Sequence, residues 1–199
     1  MADDALTTLF LIRHGHTPRV GYCNGHLDVD LTPTGIGQME EIGKRLAGDG
    51  IAALYASDLK RCVQGAAIIG RALALKPVLS SRLREKRFGA WEGLPREEIQ
   101  RRFPGEWEEW TTNPADAKPA GGESYREVSV RVMAQLREIL ERHIGEKVAM
   151  LSHGGVNRVI LCHVLDLELK HLARIEQRNA ALNLIDFYKN DAVVRLING

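Results

Sequence analysis

The chain has 199 residues, 44% of them hydrophobic, enough for one substantial core. Its 27 Lys and Arg nearly balance 26 Asp and Glu, and no long run of one sign supplies the basic patch that nucleic acid or an anionic membrane surface requires. The acidic start "MADDAL", the absence of an apolar stretch long enough for a bilayer, and three scattered cysteines (Cys23, Cys62, Cys162) predict a cytoplasmic protein without targeting segment or disulfide framework.

Short apolar runs alternate with helical patterns. Residues 7–12 (TTLFLI) read as a first strand. A helix follows over 32–50, with Thr32 or Thr34 near its cap, Ile36, Met39, Ile42 and Leu46 on one face, and glycine at its end. Residues 51–57 predict a second strand, and Asp58 a cap for a helix through Leu73. A short strand at 76–80 precedes an interruption over 84–122. A long amphipathic helix spans 123–143, with Val128, Val132, Leu136, Ile139 and Leu140 on its apolar side. Residues 147–151 form a strand, 155–165 a helix, and 181–188 and 192–197 two strands paired across Asn190-Asp191. This alternation predicts a three-layer α/β/α sandwich around a mostly parallel sheet, in one domain over 1–199.

The interruption at 84–122 holds all three tryptophans (Trp91, Trp107, Trp110), together with Phe88, Phe103 and four of the seven prolines. An aromatic lid over a binding site and a surface subdomain with its own small core both fit that content.

Three strand ends share one chemistry. The first run ends at Arg13-His14-Gly15, the second at Asp58 with Arg61 just beyond, and the third at Ser152-His153-Gly154-Gly155, opening a helix. In an open α/β sheet, ligands bind beyond the carboxyl ends of parallel strands. If these strands are neighbours, two arginines, two histidines and helix N-termini converge into a phosphate pocket. Glycines at 15, 154 and 155 let the backbone turn and approach a ligand.

Phosphoryl transfer is mostly positioning and electrostatic stabilisation. No HExxH and no carboxylate cluster marks a metal site, and His14 and His16 point to alternate sides of an extended chain. A metal-free, cofactor-free route then needs a protein nucleophile. Neutral His14 attacking phosphorus splits the reaction through a phosphohistidine. Arg13 and Arg61 keep it neutral, and His153 donates to the equatorial oxygens. One carboxylic acid serves the leaving alcohol and then the attacking water, and composition does not choose it.

These motifs resemble the histidine phosphatase superfamily, which includes the phosphoglycerate mutases. The resemblance runs through Arg13-His14-Gly15-x-Thr17, "LDVDLTPTG" (27–35), "SDLKR" (57–61), "LREKRFGAWEG" (83–93), "GGES" (121–124) and "SHGG" (152–155). It implies a phosphoglycerate mutase-like fold, His14 as nucleophile and Glu85 as the proton donor and acceptor. It also implies Arg13, Arg61, His153, Gly154 and Thr17 at the phosphate. The family's asparagine six residues after the nucleophile is Val20 here, with Asn24 as a substitute, and His16 and Gly65 also depart from the pattern. The compact length and "FGAWEG" are similar to the phosphatase branch, and the "GYCNGHLDVDLT" loop to the α-ribazole phosphatase type. The reading is therefore a phosphomonoesterase acting on a small phosphate ester, as monomer or homodimer. A mutase and a non-catalytic phosphate-ester-binding domain are the alternatives.

Overall fold

A computed structural model describes residues 6–19 and 21–199. Most of the acidic N-terminal segment, and Val20, lie outside the described residues. Among these residues the order is β1 (Thr7–Arg13), α1 (Pro33–Leu46), β2 (Ile51–Ser57), α2 (Lys60–Leu73), β3 (Val78–Ser80), α3 (Arg96–Arg102) and α4 (Pro104–Thr112). There follow α5 (Tyr125–Arg142), β4 (Lys147–Ser152), α6 (Gly154–Val164), β5 (Leu182–Phe187) and β6 (Ala192–Leu196).

The six strands form one sheet in the order β3-β2-β4-β1-β5-β6. β1 to β4 run parallel, β5 is antiparallel to β1, and β6 closes a hairpin with β5. The pleat sends alternate residues to opposite faces. Leu9 and Leu11 thus join α5 and α6 in one core, while Phe10 and Ile12 join α1 and α2 in another. Three layers result, as the alternating pattern predicts.

Local chemistry sets the helix ends. Thr32 caps α1, its hydroxyl accepting from the Gly35 N–H at 3.1 Å. Ser124 and Glu127 form a reciprocal capping box that starts α5. Asp58 does not cap α2: Leu59 holds that position without a side-chain bond. The Asp58 carboxylate instead takes the Arg84 guanidinium in a bidentate pair at 2.7 and 2.6 Å, a stronger interaction than a neutral cap bond. The 84–122 stretch is more helical than an aromatic loop, with α3, α4 and a 3-10 turn at Gly89–Trp91. No helix of the described residues is long and apolar enough to cross a membrane.

Register decides where function sits. Arg13 pairs with Ser152, and Leu151 with Ala56 one residue before the end of β2. With β4 between β1 and β2, the three motif-bearing strand ends lie side by side at one level.

Candidate active site

β1 is hydrogen-bonded on both sides up to its last residues. The His14 N–H donates to the Ser152 carbonyl and the Arg13 N–H to that of Ala181, both at 3.0 Å. The backbone under the two side chains is therefore fixed by the sheet. The His14 ring donates through Nδ1 to the Gly15 carbonyl at 2.8 Å. That bond places the proton on Nδ1 and leaves Nε2 with a lone pair. Burial first, and then the positive charges of Arg61 and Arg13, hold the His14 pKa well below the usual imidazole value. His14 is a neutral, buried base.

Arg61 is 2% exposed. It donates to the carbonyls of Gly25 (2.8 Å) and Leu27 (2.9 Å) and through Nε to His153 Nδ1 (3.2 Å). Three of its five N–H groups are thus spent on posture and two remain for a ligand. Arg13 is held by the Gln177 carbonyl at 2.6 Å, and its Nε is buried without a partner. Beneath it runs an amide network that the sequence did not signal. Asn157 donates to Gln177 (3.0 Å), Gln177 to Asn183 (2.7 Å), and Asn183 to the Leu11 carbonyl (2.9 Å).

Glu85 makes none of the ion pairs that Arg84, Lys86 or Arg87 would offer a surface glutamate. Its carboxylate accepts from the Lys86 N–H at 2.9 Å and from the Gly155 N–H, in the first turn of α6, at 3.0 Å. A Cβ at Gly155 would collide with Glu85 Oε1 and the Tyr125 ring, so glycine there admits the carboxylate. A Cβ at Gly15 would collide with the Gly35 carbonyl oxygen. That glycine makes room for α1 to pass under β1, a packing requirement and not a ligand one.

A cavity of about 670 Å³ opens over these groups, lined by Arg13, His14, Thr17, Asn24, Arg61 and Glu85, with Gly154 and Gly155 at its floor. Asn24 reaches it from the loop between β1 and α1, its Nδ2 donating to the Arg19 carbonyl at 3.1 Å and its Oδ1 buried without a partner. His153 is not on this surface. It is fully buried, and its Nδ1 accepts from Arg61. Its Nε2–H is given to Ser57 Oγ at 2.9 Å. Its two ring nitrogens thus face Arg61 and Ser57, and neither is turned to the cavity where the sequence placed a phosphate donor. Burial, with Arg61, His14 and Arg13, lowers its pKa well below the usual value. His16 turns away to Thr32 Oγ1, 2.9 Å from its Nδ1.

The aromatic segment forms one wall. Phe88, Trp91, Trp107 and Trp110 all line the cavity, and Trp91, 1% exposed, packs against Trp107 and Trp110 at 6.1 and 5.6 Å. Stacking surface and small core are thus both present. The basic side chains of this region have partners of their own: Arg84 pairs with Asp58, Lys86 lies against the Trp110 ring, Arg82 pairs with Glu138, and Arg101 and Arg102 with Glu98. Arg158, Arg19 and Tyr125 line the cavity unforeseen. Arg158 had a readable signal, four residues after Gly154 and so on its helix face. Cys23 lies on the lining too, but burial pushes its thiol up to about 11 and that of Cys62 to about 12, so neither is a thiolate.

The model of the histidine phosphatase superfamily (branch 1) matches residues 9–199. The chain belongs to the histidine phosphatase superfamily. Among superfamily relatives it is 29% identical over 195 residues to phosphoserine phosphatase 1 of Hydrogenobacter thermophilus, spanning 97% of this chain and 92% of that protein. It is 31% identical over 167 residues to a metal-independent phosphoserine phosphatase of Arabidopsis thaliana, spanning 81% and 70%. The α-ribazole phosphatase of Shigella flexneri superposes with a TM-score of 0.88 at 24% identity over 96% of each chain, a likeness of fold.

Proposed function

We propose that this superfamily member hydrolyses a small phosphate monoester through a phosphohistidine on His14, without a metal ion. One observation carries this reading: a neutral imidazole with its proton locked on Nδ1 and its Nε2 free between two guanidiniums. Nε2 attacks phosphorus, and the remaining N–H groups of Arg13 and Arg61 take the charge on the phosphoryl oxygens. Thr17, Asn24 and the backbone of Gly154 complete the phosphate floor, and His153 keeps Arg61 in place. Glu85 protonates the leaving alkoxide, then takes the proton of the water that attacks phosphohistidine. The guanidiniums supply the positive charge that a metal supplies in other phosphatases, in keeping with the name of the Arabidopsis relative.

Residues 1–199 act as one domain in this reading, with 84–122 as the leaving-group wall. The aromatic faces of Phe88, Trp107 and Trp110 make α-ribazole 5′-phosphate a natural test substrate beside phosphoserine, which the Hydrogenobacter and Arabidopsis relatives are named for.

The experiment is turnover of 4-nitrophenyl phosphate in excess chelator, with denaturing quench at alkaline pH, where the P–N bond survives, and mass spectrometry of the His14 peptide. Chelator-resistant turnover and a phosphoryl group on His14 are expected, and both disappear in His14→Ala. Loss of wild-type turnover on chelation overturns the metal-free route. Binding of the ester without any turnover replaces the hydrolase with the binding domain.

A further inference from the structure

Lys86 follows Glu85 in the chain and has no part in the steps above. It is 0% exposed. Its Nζ donates to the Ala117 carbonyl at 2.8 Å, 4.1 Å from the centre of the Trp110 ring and 4.8 Å from that of Tyr125. The Phe88 ring is 5.9 Å away. Among the described residues no carboxylate lies within ion-pair distance of this ammonium. Taking an unpaired ammonium out of water is costly, and two ring faces and one carbonyl compensate only in part. Burial accordingly pulls the Lys86 pKa down to about 7, against the opposing pull of Glu85, Glu123, Glu127 and Cys23.

A methionine would fill the same space without that cost, so packing alone does not explain a lysine here. Its backbone suggests what does. The Lys86 N–H is one of the two donors that hold the Glu85 carboxylate, the other being Gly155. The same residue therefore grips the acid with its main chain and the wall with its side chain. Ala117 comes from the α4–α5 connection, Trp110 from α4 and Tyr125 from the first turn of α5. On the outer side, Arg131 and His26 hold the Glu85 carbonyl at 3.0 and 2.8 Å.

We propose that Lys86 is a positioning residue for Glu85: its caged amino group, bonded to the Ala117 carbonyl, fixes the backbone that holds the carboxyl against α6 and ties it to the leaving-group wall. The inference rests on Glu85 being the proton donor. Loss of the cage frees residues 85–87 to shift, and the carboxyl then misses the leaving oxygen while His14 and the arginines stay in place.

The test compares Lys86→Met, Lys86→Gln and Glu85→Gln with wild type on two esters, reading kcat/KM for the phosphorylation step. 2,4-Dinitrophenyl phosphate has a leaving group that needs no proton, and phenyl phosphate has one that does. Lys86→Met is expected to lose about tenfold on phenyl phosphate, part of the range that a general acid supplies, and less than about twofold on the dinitrophenyl ester. Lys86→Gln, which keeps a donor for Ala117, falls between it and wild type and serves if Lys86→Met does not fold. Equal losses on both esters, or none on either, overturn the positioning role. If Glu85→Gln also loses equally on both esters, the assignment of the acid fails instead, and the two failures are distinct.

Discussion

The floor of the cavity and its aromatic wall are held by different forces. The floor is built on three adjacent parallel strand ends. There main-chain carbonyls of Gly15, Gly25, Leu27 and Gln177 fix His14, Arg61 and Arg13. The wall lies outside the sheet and meets the core through Trp110 and Tyr125. Two short helices and a 3-10 turn are joined by ring contacts of 5.6–6.1 Å, by the buried Lys86 side chain and by scattered main-chain bonds such as Ala90 N–H to the Ala120 carbonyl and Glu123 N–H to that of Arg87. A backbone-fixed floor suits a reaction whose charge pattern never varies. A wall joined largely by side chains offers more positions that can change without disturbing the strands. On the proposed mechanism, the difference assigns the phosphoryl chemistry to the floor and the leaving-group contacts to the wall, with Glu85 and Lys86 where the two meet.

That separation is breakable by mutation. Trp91→Ala removes the fully buried ring of the wall and is expected to cost ~3–5 kcal/mol of stability, measured by urea unfolding. If the floor is independent, turnover of the dinitrophenyl ester in the folded fraction stays within about threefold of wild type, ~0.7 kcal/mol in the barrier. A larger loss would show that the wall orders the floor. On the other side, Gly15→Ala forces α1 away from β1 and is expected to cost ~1–3 kcal/mol. Here kcat falls as well, because the Gly15 carbonyl orients His14. Unchanged kcat in a destabilised Gly15→Ala protein would detach the ring orientation from that carbonyl.

The smallest effect is in pH. The fold lowers the Lys86 pKa to about 7, so above that pH the folded protein has shed a proton that the unfolded chain still binds. Stability should therefore rise with pH above about 7, and Lys86→Met should flatten that rise. His14 and His153 act at the other end. Kept neutral by the fold, they are charged in the unfolded chain below its ordinary imidazole value, so stability falls as pH drops below about 6.5. Urea midpoints from about pH 5 to about pH 9 measure both limbs. A slope unaltered in Lys86→Met would remove Lys86 as the source of the upper limb.

Much of this was legible in the chain because it is local. Apolar runs marked β1 and β2, and 3.6-residue spacing marked α1 and α5, within a few residues, and Thr32 was one of two threonines placed near the α1 cap. Arg13, His14, Arg61 and Gly154 stood at strand ends, where an α/β sheet binds ligands, and composition fitted a phosphate pocket. The choice of Glu85 came from the family resemblance. Only the tertiary structure could set β4 between β1 and β2, because strand order is a long-range fact with no local signal. The same holds for Asp58, which meets Arg84 across 26 residues instead of capping α2. It holds for His153, turned to Ser57 and Arg61 instead of the cavity, and for Gly15, whose reason is a helix that begins eighteen residues later. Lys86 shows the limit most clearly. In sequence it is one more surface-type charge, and only the closing of α4 and α5 over it makes it the buried cation beside the acid.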